Sequence, residues 1–140
     1  MNRIERIAHG LIKPMNPYAS VWLGIMTFMW GLWVVNPFWQ VFTRANVYSK
    51  ALEFAPEWAW GTWSTLCGIT LIVALIKHSP CWVVRAAGFA IWHWFTVSGM
   101  LWWGDWQNTA GLTYMFVGLY AVYVFLNIRV NWVRQGIKHF

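Results

Sequence analysis

A single histidine near the middle of an apolar stretch is the first candidate for chemistry in this sequence. After Arg85, His93 is the only ionisable side chain in the segment Cys81–Trp103, which is long enough to cross a membrane. A neutral imidazole buried in lipid needs a hydrogen-bond partner, and a titrating one serves as a proton relay or a metal ligand. His93 is therefore the candidate cofactor-binding residue.

Two roles are open for this histidine. Haem usually takes two axial ligands from different helices at matching depth. His9, His78 and His139 all lie at the predicted cytoplasmic edge, so a His–Met pair is the haem arrangement that is left. The second role is structural, a hydrogen bond to the hydroxyl group of Thr27, Thr65, Thr96 or Tyr114. We accordingly predict no cofactor, with haem as the open alternative.

Other catalytic patterns are missing from the sequence. No carboxylate lies inside a predicted span, and Glu53, Glu57 and Asp105 all fall on the predicted outer surface. No paired carboxylates and no Ser/His/Asp arrangement share a depth. Cys67 and Cys81 fall at different depths, so we expect two reduced thiols and no disulfide. We predict no catalytic residue, no metal site and no enzymatic activity.

The composition is that of a membrane protein. Hydrophobic residues make up 59% of the 140 residues and charged residues 10%, whereas soluble domains have about a quarter charged residues. The net charge of +6 comes from cations that flank apolar spans and do not form a continuous face. The predicted partners are therefore membrane lipids and not nucleic acid.

Hydropathy and proline positions divide the chain into four spans within one transmembrane domain, residues 1–140. The predicted spans are about 19–35, 58–76, 81–103 and 109–128. The first span ends at Asn36, because the residue before a proline is disfavoured in a helix. Two amphipathic segments, 1–16 and about 38–54, are predicted to lie in the membrane interface. The predicted fold class is an all-α, integral membrane four-helix bundle.

Small residues recur at helical spacing along three of the spans. Such stripes let helix backbones approach closely, so we expect these faces to pack against other helices. The predicted packing residues are Ser20, Gly24, Thr27 and Gly31 in the first span, Gly61, Thr65 and Gly68 in the second, and Gly111 and Gly118 in the fourth.

The distribution of Lys, Arg and Trp predicts how the protein sits in the membrane. An inner group of cations consists of Arg3, Arg6, Lys13, Lys77, Arg85, Arg129, Arg134 and Lys138. Only Arg44 and Lys50 then lie outside, so both termini are predicted in the cytoplasm and the protein in the inner membrane. The predicted outer interface anchors are Trp39, Trp58, Trp60, Trp102, Trp103 and Trp106.

Three segments of the first half resemble a group of phage proteins. They are NPYAS at Asn16–Ser20, WGLWVVNPFW at Trp30–Trp39 and APEWAWG at Ala55–Gly61. Together they are similar to the opening of short, uncharacterised multi-span membrane proteins of tailed bacteriophages. The resemblance implies a host inner-membrane location and a role in lysis, superinfection exclusion or host takeover. It assigns no catalytic residue.

These observations favour a small non-enzymatic inner-membrane protein that self-associates through its small-residue helix faces and is holin-like or otherwise alters the membrane. One alternative is a bundle that binds haem, quinone or lipid around His93. A second alternative is an accessory subunit of a larger membrane complex. The first predicts a colourless homo-oligomer, haem binding predicts a Soret band that disappears in His93→Ala, and the accessory subunit predicts a fixed protein partner.

Overall fold

The structure is a computed structural model that describes residues 17–38, 42, 48–107 and 109–134. This part of the chain is helical except for short turns and contains no strand, which confirms the all-α prediction. The predicted amphipathic segment 1–16 and the predicted anchor Trp39 lie outside the described residues. So do positions 39–41 and 43–47 of the predicted segment 38–54.

Five helices follow one another in the described residues. They are α1 (Pro17–Val35), α2 (Ser49–Phe54), α3 (Glu57–Ile76), α4 (Pro80–Gly104) and α5 (Thr109–Arg134). Prolines set several of these ends, because Pro37 follows α1, Pro56 precedes α3, and Pro80 opens α4, where a missing backbone N–H costs little. Glu57 places a negative charge at the positive N-terminal end of α3.

Three of these helices are long and apolar enough to cross a membrane, over Tyr18–Val35, Glu57–Ile76 and Thr109–Asn131. Helix α4 is also long, with 25 residues. It is not among the three because Arg85, His93 and several Trp residues lower its mean hydropathy.

The long helices form two closely packed pairs. Helix α1 packs most extensively on α3, and α4 on α5, while α3 and α4 hold the two pairs side by side. Contacts between α1 and α5 are few, so the seam between these two helices is open. The turn Lys77–Ser79 joins α3 to α4 at one end of the bundle, which we call the turn end. Helix α2 lies at the opposite end, the α2 end, against α4.

The core has two parts, one in each half of the bundle. The cluster towards the turn end consists of Leu23, Leu71, Ala74, Val83, Ala86, Ala90, Trp94, Ala121, Val124 and Ile128. The cluster towards the α2 end consists of Val34, Phe42, Ala51, Trp60, Val97 and Leu101. Trp30 and Tyr114 pack against both clusters and so connect them at the middle of the bundle.

Candidate functional site

The small residues of α1 and α3 face each other in the structure. A Cβ atom at Gly68 would lie 2.5 Å from the backbone nitrogen of Phe28, and one at Gly61 would lie 2.6 Å from the backbone nitrogen of Val35. Both distances are too short for any real Cβ contact. The two helices therefore touch backbone to backbone, at a separation that only glycine allows.

Gly24 and Gly31 of α1 and Thr65 of α3 lie in the same interface. A Cβ atom at Gly31 would overlap the backbone nitrogen of Thr65, and one at Gly24 would lie 2.9 Å from Cγ1 of Ile72. Ser20 is buried at the turn end of α1. The small faces of α1 and α3 are thus occupied by contacts within one chain.

The glycines of α5 lie against aromatic rings of α4. A Cβ atom at Gly111 would lie 2.5 Å from Cδ1 of Trp102, and one at Gly118 would lie 3.1 Å from Cε2 of Phe95. Ser98 of α4 donates a hydrogen bond to the carbonyl oxygen of Gly111 at 2.7 Å. Contacts between aromatic rings of α4 and glycines of α5, together with a buried interhelical hydrogen bond, therefore hold these two helices against each other.

A polar cluster at mid-height links three helices around Thr27. The Ser64 hydroxyl of α3 donates to the Thr27 carbonyl oxygen at 2.8 Å. The Thr27 hydroxyl donates to the Leu23 carbonyl oxygen at 2.8 Å and accepts the indole N–H of Trp94 at 3.2 Å. Sequence reasoning included Thr27 but missed Ser64 and Trp94, whose partners lie on other helices.

His93 lies beside this cluster and is completely buried, with 0% of its surface exposed. Its ring centroid is 5.2 Å from those of Trp30 and Trp94, both at 71°, so both contacts are edge to face. Neither ring nitrogen has a hydrogen-bond partner among the described residues. The described part of the chain therefore leaves an unpaired polar side chain at the centre of the bundle.

The four hydroxyl groups considered as partners for His93 bond elsewhere. Thr65 donates to Gly61, Thr96 donates to Trp92, and Thr27 donates to Leu23, in each case to a carbonyl oxygen of its own helix. Tyr114 is bonded to the side chains of Trp30 and Tyr48. Within the described residues the His93 side chain thus makes ring contacts and no hydrogen bond.

Between α1 and α5, the open seam forms a groove with a volume of about 520 Å³. This volume is within the range of small-molecule sites, about 300–1,000 Å³. We call it the α1–α5 groove. It is lined by Met26, Met29, Trp30, Trp33, Tyr48, Trp94, Thr113, Tyr114 and Val117. It opens sideways between two helices that are each long and apolar enough to cross a membrane.

Two tyrosine hydroxyl groups on the wall of this groove share one hydrogen bond. The hydroxyl oxygens of Tyr48 and Tyr114 are 3.1 Å apart, and Tyr114 also accepts the indole N–H of Trp30 at 3.1 Å. The pair has two O–H protons but only one bond between its oxygens. One O–H group therefore has no acceptor among the described residues and is available to an occupant of the groove.

The environment of Tyr48 favours the neutral phenol. Burial is the largest effect that raises the pKa of Tyr48, and its hydrogen bond to Tyr114 raises it further. Its ring is stacked on Phe42, with centroids 4.3 Å apart at 4°. Phe42 is held in turn by Glu57, whose Oε1 accepts the backbone N–H of Phe42 at 3.1 Å. Tyr48 therefore keeps its hydroxyl proton and is held in position beside Tyr114.

The predicted Trp anchors do not share one environment. Trp58, Trp103 and Trp106 are largely exposed near the α2 end, and Trp102 is partly covered by Gly111. Trp60 is only 8% exposed and donates its indole N–H to the Ala51 carbonyl oxygen at 3.0 Å. In this structure Trp60 fixes α2 onto the bundle.

The described residues do not suit haem. His93 does not border the α1–α5 groove, because Trp30 and Trp94 line the groove and pack edge-on against His93. A macrocycle in the groove would therefore lack an axial nitrogen ligand. Among the described residues there is also no group of three or more His, Cys, Asp or Glu side chains that could bind a metal ion.

The fold and the groove together define an all-helical protein that has three helices long and apolar enough to cross a membrane and an aromatic cleft on its side. No family model, no curated protein and no solved structure matches this chain. The groove and the surface are therefore the features of the molecule that indicate what it does.

Proposed function

We propose that this protein is a non-enzymatic, four-span protein of the inner membrane that binds a lipid-soluble carbonyl compound of the quinone class in the α1–α5 groove. The observation behind this proposal is the O–H group of the Tyr48–Tyr114 pair that has no acceptor among the described residues. A carbonyl oxygen accepts a hydrogen bond from such a donor, and a flat conjugated ring suits a wall formed by Trp30 and Trp94.

The four-span topology is supported by the length of α4 and by the charges at the two ends of the bundle. Lys77, Arg85 and Arg129 lie towards the turn end, whereas Lys50 lies at the α2 end. With the turn end in the cytoplasm, this distribution follows the positive-inside rule and puts both termini inside. The resemblance of the first half to phage membrane proteins supports a bacterial inner membrane, with α2 at its outer interface.

Binding without catalysis is favoured by the lining of the groove. Its polar side-chain groups are hydroxyl groups and indole N–H groups, and among the described residues no carboxylate, histidine or cysteine borders it. General acid–base catalysis near neutral pH requires a group whose pKa lies near that pH. Tyr48 does not meet this requirement, because burial raises its pKa further from neutrality.

The test is a binding titration of the purified protein in detergent with decylubiquinone, using n-decylbenzene as the analogue that lacks carbonyl groups. Each single variant, Tyr48→Phe or Tyr114→Phe, keeps one hydroxyl group, so quinone affinity should change little. The double variant has neither tyrosine hydroxyl, and the Thr113 hydroxyl in the groove already donates to the Thr109 carbonyl oxygen. Its quinone affinity should therefore fall about fivefold, because a net hydrogen bond is worth about 1 kcal/mol. The affinity for n-decylbenzene should be the same in these three tyrosine variants as in the wild-type protein.

Two further variants complete this test. Val117→Trp places a large ring in the groove and should weaken binding of both compounds, whereas Tyr123→Phe removes a tyrosine hydroxyl that does not border the groove and should change neither. Unchanged quinone affinity in the Tyr48→Phe/Tyr114→Phe double variant would refute the proposal. Equal losses in that variant and in Tyr123→Phe would also refute it.

Self-association, holin-like or within a larger membrane complex, is the second candidate function. The small faces of α1 and α3 are occupied within the chain, but α4 has one glycine, Gly99, with no atom of another described helix within 4 Å of where its Cβ would be. Exposed Trp92 and Trp103 are on the same helix. If α4 is the contact between copies, Gly99→Leu should convert an oligomer in mild detergent into a monomer, as measured by light scattering on the eluted peak.

A further inference from the structure

A second lateral depression lies along α3 and α4, away from the α1–α5 groove. It has a volume of about 520 Å³ and is lined by Trp63, Arg85, Gly88, Phe89 and Trp92. The ring of Trp63 closes its α3 side, with centroids 5.9 Å from Phe89 and 5.8 Å from Trp92. Apart from Arg85 at its rim, this lining is apolar. We call this depression the α3–α4 groove.

A smaller depression lies on the same two helices at the turn end. It has a volume of about 270 Å³, and its lining includes Lys77, Ser79 and Trp82 together with apolar residues of α3. The Arg85 guanidinium carbon is 5.4 Å from the centre of the Trp82 ring, a cation–π distance. Trp82 therefore holds the Arg85 side chain towards the turn end, where Lys77 lies.

These two cations have no anionic partner in the described part of the chain. Its carboxylates, Glu53, Glu57 and Asp105, all belong to the α2 end, and Lys50 at that end pairs with Glu53 at 2.7 Å. Lys77 and Arg85 form no ion pair with any of them. A negative charge must therefore come from outside these residues if the two cations are to be neutralised.

We propose that one anionic phospholipid occupies this face, with its phosphate between Lys77 and Arg85 and an acyl chain in the α3–α4 groove. Arg85 begins the apolar part of the site, and Trp92 lies seven residues further, about 10 Å along the helix axis. The smaller depression, which Lys77 lines, is followed along the helices by the apolar α3–α4 groove. This order matches that of the headgroup and the acyl chain in a phospholipid. A soluble anion would leave the apolar α3–α4 groove empty, and a lipid without net charge would not neutralise the two cations.

The test is native mass spectrometry of the detergent-solubilised protein with phosphatidylglycerol and phosphatidylcholine of identical chains. The wild-type protein should retain phosphatidylglycerol at least tenfold more strongly than phosphatidylcholine. In Lys77→Gln/Arg85→Gln this preference should fall about tenfold or more, because each cation near an anionic lipid surface contributes about 1 kcal/mol. Lys50→Gln is the matched control at the opposite end and should keep the preference.

Three further arms separate the headgroup, the acyl chain and the fold. The charge-conserving variant Lys77→Arg/Arg85→Lys should retain phosphatidylglycerol, which shows that loss in the glutamine variant reflects charge and not misfolding. Gly88→Trp fills the α3–α4 groove. It should weaken the binding of dioleoyl-phosphatidylglycerol but not the binding of glycerol 3-phosphate. Equal retention of phosphatidylglycerol by the wild-type and glutamine proteins would overturn the proposal, as would competition by glycerol 3-phosphate as effective as that by the lipid.

Discussion

The closeness of α1 and α3 leads to a quantitative prediction at Gly68. In Gly68→Ala, the new methyl carbon would lie 2.5 Å from the backbone nitrogen and 2.7 Å from the Cα of Phe28. These are backbone atoms, so no side-chain rotation relieves the overlap and the two helices must move apart. Overpacking of this kind costs typically about 1–3 kcal/mol.

Gly88→Ala is the matched control for this substitution. It also replaces glycine within a long helix, and its Cβ would lie at an ordinary 4.0 Å from Cε2 of Phe125. Both variants gain about 0.5–1 kcal/mol from the better helix propensity of alanine. This gain cancels in the comparison, so Gly68→Ala should be less stable than Gly88→Ala by about 1–3 kcal/mol. Gly118→Ala should fall between them, because the Phe95 ring that it meets can shift.

The assay is equilibrium unfolding in mixed micelles of a mild detergent and dodecyl sulfate, followed by far-UV circular dichroism. The free energy of unfolding of each variant is compared at one micelle composition, so that no extrapolation enters the difference. If Gly68→Ala were as stable as Gly88→Ala, α1 and α3 would not be in backbone contact, and the packing described here would be wrong.

Three shorter predictions concern polar groups. His93→Leu should leave the free energy of unfolding unchanged or raise it by about 1–3 kcal/mol, because an unpaired buried polar side chain is replaced by an apolar one; a clear loss would reveal a partner for His93. Ser98→Ala should lower the free energy of unfolding by about 0.6 kcal/mol, because the interhelical hydrogen bond to Gly111 is lost. An unchanged free energy of unfolding would show that this bond does not form. Because the pKa of Tyr48 is raised on folding, its neutral form stabilises the protein below the pKa of an unfolded tyrosine, about 10. The free energy of unfolding should therefore fall as pH rises above this value, and it should fall less steeply in Tyr48→Phe than in the wild-type protein. Equal slopes of unfolding free energy against pH in the two proteins would contradict the burial of Tyr48.

Much of the helical framework follows from local sequence signals. Pro37, Pro56 and Pro80 mark helix ends because proline restricts its neighbours and lacks an N–H, and the structure has helix boundaries beside all three. The small residues could be found from their spacing. Their partners could not, because a stripe such as Gly24 to Gly31 fits any helix with a small face, and helix order depends on contacts distant in sequence.

The groove was beyond sequence reasoning for a similar reason. Tyr48 and Tyr114 are separated by 66 residues, and their hydroxyl groups meet only because α2 folds over the α2 end of the bundle. Trp60 shows the same limit, since a tryptophan near a helix start suits a lipid interface as well as it suits a protein interior. Trp60 is buried because it packs in the core cluster towards the α2 end and bonds to Ala51, and these contacts lie outside its own helix.

The α1–α3 contact also determines the shape of the α1–α5 groove, and this connection can be tested. Helix α1 directs its small residues at α3, so its bulky side chains, among them Met29 and Trp30, lie towards the open seam and keep α5 at a distance. Displacing α1 from α3 should therefore move Trp30 relative to Tyr114. This movement should disturb the wall of the α1–α5 groove at the Tyr48–Tyr114 pair, which supplies the hydroxyl donor. We expect Gly68→Ala to weaken decylubiquinone binding severalfold, whereas Gly88→Ala should leave it unchanged. Equal affinity in both variants would show that the groove does not depend on the position of α1.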